Sequence, residues 1–305
     1  MNSKKNLNIF LTGMFALSTL VSCSKNDEAA TTTISETAAV AGLIEQPDAL
    51  QSQCSFVDGN WSSSAVLTSS FGSSTDTSFM NGQITKIASV WGRPTVPIRF
   101  VVDATNPGST YNAISYSNGK IYYGQAIYKD AKTKNANNIV NAMILAHEFG
   151  HQLQFAFNLP SKKESTARPN ELEADGYAGY YLRKPAGFNA GSFAAIASAS
   201  DFAFAIGDNQ TTSAGHHGTP PQRRSAVRLG FLLADPANGN LTASNFDSNF
   251  FYYYAGVLNG SYRMASQAKP ESMTQEAHNI IIIHLEELKS IANGTMTDEE
   301  YHNLQ

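Results

Sequence analysis

The chain is poor in charge and in cysteine. Only 15% of its 305 residues are charged, with 21 Lys and Arg against 25 Asp and Glu. No basic residues cluster, so the sequence argues against a nucleic-acid partner. Hydrophobic residues nevertheless make up 42% of the chain. That content and the length suit a globular protein of one large or two modest domains.

The N-terminus lacks an apolar run long enough to span a membrane comfortably, and its pattern is typical of a targeting segment. Lys4 and Lys5 precede an apolar stretch from residue 9 to residue 21. Leu20-Val21-Ser22-Cys23 resembles a bacterial lipobox, in which the chain is cut before a cysteine that receives lipid. We therefore predict a signal peptide over residues 1–22 and lipidation at Cys23. An ordinary signal peptide or a membrane helix is the alternative.

A lipid on Cys23 predicts a cell-envelope protein that is anchored to the outer membrane and touches it only through the lipid. Ser24–Glu28 resembles the signals that send some bacterial lipoproteins to the cell surface, although Asn26 interrupts the match. Residues 23–50 are rich in Ala and Thr and predict a flexible tether. With Cys23 lipidated, Cys54 is expected to have no disulfide partner, and neither cysteine is needed for a metal site.

A single short stretch, His147-Glu148-Phe149-Gly150-His151, carries the strongest chemical signal. It is an H-E-x-x-H pattern, in which the two histidines lie on one face of a helix and can hold one Zn²⁺ ion. Glu148 can reach a metal-bound water and act as general base. The alternative is a solvated helix with two unrelated histidines.

The flanking residues predict the helix that this motif needs. Apolar residues and the two histidines recur at three- and four-residue steps from Ile139 to Phe155. No proline interrupts residues 132–159, and Pro160 closes the run.

Acidic residues downstream supply a candidate third ligand. Glu171 and Asp175 are one helical turn apart, so a second helix can present Glu171 to the metal. Asp175 can then hydrogen-bond a ligand imidazole and fix its tautomer. Glu173 lies on roughly the opposite face and is expected to be solvated. The alternative is a charged helix surface, but small residues around Asp175 favour close helix packing.

Together these motifs resemble the gluzincin metallopeptidases with an E-x-x-x-D second motif, and most closely the bacterial neutral zinc metallopeptidases. Supporting segments are Lys120–Tyr123, Glu171–Asp175 with Ala178-Gly179, and His217-Gly218-Thr219 with Gln222-Arg223. The resemblance covers about residues 119–231. Gly176 stands where the family often has cysteine, and the insert over residues 185–218 has no counterpart in it.

The order of elements predicts an α+β fold of the zincin type, with a small mixed sheet over the H-E-x-x-H helix and a mainly helical C-terminal half. The predicted domain spans residues 51–294, and residues 295–305 are expected to be a polar, frayed tail. We predict strands over residues 96–103 and 119–128. We predict helices over residues 76–91, 170–182, 192–206 and 273–292, and another that starts at Pro220 after the Thr219 cap.

The sequence therefore predicts a zinc peptidase that acts on a peptide or protein, with one Zn²⁺ held by His147, His151 and Glu171. The substrate is expected to lie beside an edge strand near Ile121–Tyr128. His217 or His216 is the candidate oxyanion donor, with a tyrosine as the other choice. Two other functions stay open: a non-catalytic surface lipoprotein that binds a ligand on this scaffold, and a zinc hydrolase that does not cleave peptides.

Overall fold

The computed structural model describes residues 53–57, 61–259 and 268–305. Within them the protein is an α+β structure with a five-stranded sheet and ten α-helices. The strands are β1 (Gln53–Ser55), β2 (Val66–Thr68), β3 (Ile98–Val102), β4 (Ala113–Tyr116) and β5 (Lys120–Gly124). The helices are α1 (Ser74–Val90), α2 (Gln125–Lys134), α3 (Ile139–Phe157), α4 (Arg168–Arg183), α5 (Ala197–Ala205), α6 (Pro220–Leu233), α7 (Ala243–Asn259), α8 (Gln275–Ile283), α9 (Leu285–Ala292) and α10 (Asp298–His302).

The sheet is small and mixed, with the strand order β1-β4-β5-β3-β2. Only β3 and β5 are parallel, and the other neighbouring strands are antiparallel. Phe100 and Tyr123 belong to the main core with the helices, whereas Val101 and Tyr122 pack with Trp61 in a smaller core. This division follows from the alternation of side chains along a strand.

Helix α3 lies at the centre of the protein, and every residue from Ile139 to Gln154 is buried. A helix that is covered on all sides belongs to the interior of a large domain. On one side Ser115 of β4 donates a hydrogen bond of 2.6 Å to the carbonyl oxygen of Glu148. On another side α3 packs against α4. The H-E-x-x-H motif is therefore inside the molecule.

Close contact between α4 and α6 depends on two glycines. A Cβ on Gly179 would lie 2.1 Å from the carbonyl oxygen of Val227, and a Cβ on Gly230 would lie 1.9 Å from that of Gly176. No side chain larger than hydrogen fits at either position without moving a helix. The small residues of the second motif thus pack helix against helix, as the sequence indicates.

Most of the predicted helices are confirmed, with ends shifted by a few residues. Helix α6 begins as expected, with Pro220 at its first position and a capping box formed by Thr219 and Gln222. The helix predicted over residues 192–206 begins with a 3-10 turn, and α5 follows. Helix α7 covers the aromatic stretch around residue 250.

The strand predicted over residues 119–128 is only half correct. Its first part is β5, but the chain turns into α2 at Gln125. Ile127, Tyr128 and Ala131 are all buried, which is the spacing of a helix face. β5 also lies between β4 and β3, so it is not the edge strand that a substrate was expected to follow.

The C-terminal segment departs from its prediction in two places. The single helix predicted over residues 273–292 is divided at His284 into α8 and α9. The prediction of a frayed tail over residues 295–305 is wrong, since Thr297 caps α10 and Tyr301 is buried. Tyr301 packs edge-on against Phe193 and hydrogen-bonds Ser200, and this aromatic anchor fixes the otherwise polar segment.

The predicted signal peptide, the lipidated Cys23 and the tether over residues 23–50 all lie outside the described residues. Among the described residues, no helix is long and apolar enough to cross a membrane.

Candidate metal centre

Two imidazole rings face each other at the centre of the site. The Nε2 atoms of His147 and His151 are 3.1 Å apart, and both side chains are completely buried. Their spacing of four residues on α3 places them on the same face, one turn apart.

The outer nitrogen of each ring is fixed by an oxygen. His147 Nδ1 lies 2.9 Å from Asp175 Oδ1, and His151 Nδ1 lies 2.8 Å from Gln154 Oε1. The Gln154 amide is oriented by its own bonds, because its nitrogen donates to Asn170 O and to Glu173 Oε2. Each ring must therefore donate its Nδ1 hydrogen outward, and in the neutral tautomer its Nε2 carries a lone pair.

Two lone pairs that face each other at 3.1 Å need a cation or a proton between them. Burial lowers the pKa of His147, but hydrogen bonds to Asp175 and Glu171 outweigh it and raise that pKa to about 9. Burial lowers the pKa of His151 to about 4, because the nearby Glu171 only partly compensates. A metal ion binds such lone pairs in place of the protons that its ligands would otherwise carry.

Glu171 of α4 closes a third side of the same space. Its Oε2 lies 3.4 Å from His147 Nε2, and its Oε1 lies 3.5 Å from His151 Nε2. Burial raises the pKa of Glu171, but the surrounding histidines more than reverse this effect and hold the pKa below its usual range. The carboxylate is thus kept in the charged form that a metal requires.

These separations fit a single tetrahedral ion. With ligand bonds of about 2.0–2.2 Å, two ligands at a tetrahedral angle lie about 3.3–3.5 Å apart. The two Nε2 atoms are 3.1 Å apart, and the distances of 3.4 and 3.5 Å from them to Glu171, each to a different carboxylate oxygen, are close to that value. One ion could bind all three side chains with little movement.

Glu148 is buried next to this space and has no hydrogen-bond partner on either carboxylate oxygen among the described residues. Burial raises the pKa of Glu148 to about 8. An orphaned buried carboxylate is uncommon and marks a place where a water, an ion or a substrate group belongs. A carboxyl that titrates near neutral pH can both accept and donate a proton.

His217 approaches the site from the loop before α6. Its Nδ1 lies 3.5 Å from Glu171 Oε2. Asp208 holds the loop by accepting hydrogen bonds from the His217 backbone N–H at 2.8 Å and from His216 Nδ1 at 2.7 Å. His216 thus has a positioning contact with Asp208, while His217 is the one of the pair that faces the candidate ligands.

Behind His147, Asp175 forms a buried ion pair with Arg223 of α6. Arg223 Nε donates to Asp175 Oδ2 at 2.7 Å, and its Nη2 donates to Oδ1 at 2.8 Å. Burial alone would raise the pKa of Asp175, but Arg223 outweighs it and keeps the carboxylate charged. This geometry holds Asp175 in the orientation that His147 needs.

The prediction that Glu173 is solvated is wrong, because its side chain is completely buried. It accepts hydrogen bonds from Gln154 at 2.9 Å and from Tyr177 at 3.1 Å. Helix α4 is covered on both sides, so even the face away from the metal space lies in the core. Through Gln154, Glu173 supports the orientation of His151.

Cys54 of β1 also lies at this site. One ligand atom from each of Cys54, His151 and Glu171 falls within 4.8 Å of the others, and this buried group could hold a metal ion. The expectation that Cys54 lacks a disulfide partner is wrong, since it is disulfide-bonded in this structure. Cys54 would be a ligand only after reduction, because a metal binds the thiolate.

Lipidation at Cys23 stays a prediction. The sequence contains no third cysteine, and a lipid on the sulfur of Cys23 would exclude it as an intrachain partner of Cys54. The two modifications are therefore alternatives within one chain.

Sequence reasoning missed Cys54, Gln154 and β4. Gln154 is three residues after His151 on the same helix, so its spacing could have pointed to it. Cys54 lies about a hundred residues from the motif and carries no local signal. Its position depends on the pairing of β1 with β4.

Comparisons with protein-family models, curated proteins and solved structures found no match to this chain.

Proposed function

We propose that the protein is a zinc-dependent peptidase. The observation that carries this proposal is the pair of His Nε2 lone pairs, fixed by Asp175 and Gln154, that converge with Glu171 at single-ion spacing. Two histidines and one carboxylate are the protein ligands of a class of catalytic zinc sites, in which water or substrate takes the fourth position. His147, His151 and Glu171 would hold one Zn²⁺ ion.

The resemblance to gluzincin metallopeptidases supports the same proposal. The small mixed sheet beside the motif helix, with Glu171 on the next helix, is the arrangement that the resemblance implies. We extend that family's zincin fold to this chain as part of the proposal.

Each neighbouring side chain has a defined task in this scheme. When bound, zinc supplies a Lewis acid that polarises the scissile carbonyl and makes water more acidic. Glu148 would accept the proton of the attacking water and donate it to the leaving amine, since neither of its buried carboxylate oxygens has a hydrogen-bond partner among the described residues. His217 is the candidate donor to the developing oxyanion. Asp175 and Gln154 keep the ligand imidazoles in the required tautomer.

Strand β4 is the best candidate for the strand that binds substrate. It is the strand next to α3, and Gln152 of α3 donates to Tyr116 O at 3.0 Å and to Ser115 Oγ at 2.9 Å. An extended peptide can add to a sheet edge by main-chain hydrogen bonds. In this structure β4 is separated from the sheet edge by the three-residue β1, whereas the segment Ile121–Tyr128 is partly helical and its strand lies between β4 and β3.

Replacing Glu148 by Gln tests the proposal. The Glu148→Gln variant should lose about 10²–10⁴-fold in peptide hydrolysis, because a general base contributes that much, while one equivalent of zinc still binds. Hydrolysis is measured with a peptide library and zinc by elemental analysis. Glu276→Gln, on the exposed surface of α8, is the matched control and should match the unmodified chain.

The same experiment separates the alternatives. Full hydrolysis by a pure Glu148→Gln preparation would contradict the proposed mechanism. Zinc binding without any peptide cleavage, both in the unmodified chain and in a Phe56→Ala chain that lacks the ring packed on His147, would favour a non-catalytic binding protein or a zinc hydrolase of other substrates.

A further inference from the structure

Five residues, Gln53 to Val57, lie along β4 in an extended conformation, and we call them the β1 segment. β1 pairs with β4 antiparallel, with Cys54 opposite Ser115 and Ser55 opposite Ile114. The pairing continues beyond the strand, since Phe56 N donates to Ala113 O at 2.8 Å. Val57 N then donates to Asn112 Oδ1 at 2.9 Å.

Alternate side chains of the β1 segment point at the metal space. Cys54 and Phe56 are buried, whereas Ser55 and Val57 are half-buried. The Phe56 ring contacts the His147 ring edge-on, with 5.0 Å between centroids, and stacks on Phe202. The Cys54 sulfur lies near His151 and Glu171. The segment thus places one side chain against each ligand histidine.

The site residues are covered in this structure, and the β1 segment lies over them on the side of β4. His147, Glu148 and His151 have no exposed surface, and Glu171 is only 1% exposed. Without the segment, β4 would be the edge of the sheet, with its backbone available for pairing. A cavity of about 330 Å³ lies beside it, and Phe56, Val57, Phe202 and His217 line part of its wall. An incoming peptide would have to displace the segment.

We propose that the β1 segment is an internal pseudosubstrate, which occupies on β4 the place of a peptide substrate. The proposal rests on the proposed peptidase function and deepens it in two respects. The described conformation is a latent one, and activity requires displacement of the segment. The preferred substrates are extended peptides that present an aromatic side chain where Phe56 now contacts His147 and Phe202.

Weakening the anchor of the segment in the full-length chain tests this proposal. Phe56→Ala removes the ring that packs against His147, so the segment should leave β4 more often. We expect hydrolysis of library peptides to rise by about tenfold or more. The loss of a buried Phe ring costs more free energy than a tenfold change in an equilibrium constant. Phe71→Ala is the matched control, since Phe71 is a buried ring that packs on Phe100 and Tyr128.

Two further measurements do not depend on catalysis. The first uses a decapeptide with the sequence of residues 50–59 and the change Cys54→Ser. It should bind the Phe56→Ala chain at least about tenfold more tightly than the unmodified chain, because β4 is occupied in the unmodified chain. The same peptide with Phe56→Ala should not bind. A chelator should also remove zinc from the Phe56→Ala chain faster than from the Phe71→Ala chain.

The possible results decide the two proposals separately. Peptide binding and faster zinc release without hydrolysis in any variant would show that the β1 segment can be displaced from β4, but would reject the peptidase and with it the pseudosubstrate role. Hydrolysis that is unchanged or reduced in Phe56→Ala, together with no peptide binding, would overturn the pseudosubstrate and leave the peptidase standing. In that case β1 is a structural strand. If peptides are cleaved with no preference for aromatic residues, the proposed substrate class is wrong.

Discussion

The two histidines of the H-E-x-x-H motif are oriented by two different partners. His147 donates to a charged carboxylate, Asp175, which Arg223 holds by two hydrogen bonds. His151 donates to the neutral amide of Gln154. A charged acceptor makes a stronger hydrogen bond and a more basic ligand than a neutral one. Burial lowers the pKa of both rings, but hydrogen bonds to Asp175 and Glu171 raise that of His147 to about 9, whereas that of His151 stays at about 4.

Removing the charge behind His147 should weaken metal binding. Asp175→Asn is expected to reduce zinc affinity by about 10–100-fold, the usual cost of losing such a partner. Zinc affinity is measured by competition with a chelating dye, on protein that is folded by near-ultraviolet circular dichroism. Asp235→Asn, which breaks the half-buried ion pair with Arg183, is the control and should leave affinity unchanged. If the two variants bind zinc with equal affinity, Asp175 does not contribute to the metal site.

At the scale of elements, the site depends on how closely α4 approaches its neighbours. α4 carries Glu171 and Asp175, α3 carries the histidines, and α6 carries Arg223. Glycines at the contact of α4 and α6 allow backbone atoms to touch. The distance between these helices therefore sets both the core packing and the position of two site residues.

A methyl group at this contact should separate the helices. Gly179→Ala places its Cβ 2.1 Å from Val227 O, and we expect a loss of about 1–3 kcal/mol in the free energy of unfolding. Denaturant melts provide the measurement. Gly82→Ala is the control: it lies inside α1 with nothing within 4 Å, and it should stabilise by about 0.4–1 kcal/mol. If Gly179→Ala leaves the free energy of unfolding unchanged, α4 and α6 can move apart enough to hold the methyl group.

At the scale of the whole molecule, the metal space joins the two halves of the fold. α3 packs on the sheet through β4, and α4 and α6 belong to the helical half. A bound ion would connect α3 to α4, so its binding free energy would add to the stability of the folded chain.

Metal removal should consequently lower the melting temperature. Zinc at about 100 times its dissociation constant stabilises a folded protein by about 2.7 kcal/mol. For a chain of this size that difference corresponds to about 5–10 °C. Calorimetry of zinc-loaded and chelator-treated protein measures it. The same treatment of a His147→Ala, His151→Ala double variant should produce no shift, and a shift there would locate the metal elsewhere.

The sequence by itself determined the local part of this protein. The helix α3, the cap of α6 and the spacing of His147, Glu148 and His151 follow from interactions within a few residues. The spacing of Glu171 and Asp175 on α4 is equally local. Apolar periodicity and capping residues therefore predicted these features before any contact was known.

Only the tertiary structure decided what the helices enclose. Glu173 is buried because α4 is covered on both sides, and α10 is ordered because Tyr301 packs on Phe193. The β1 segment reaches the histidines through pairing with β4, about sixty residues away in the chain. Such pairings depend on chain closure and on the shape of the whole core. A pattern over a few residues reflects neither chain closure nor the shape of the core. The residues around Cys54 and Phe56 therefore do not indicate that these two side chains lie against the metal space.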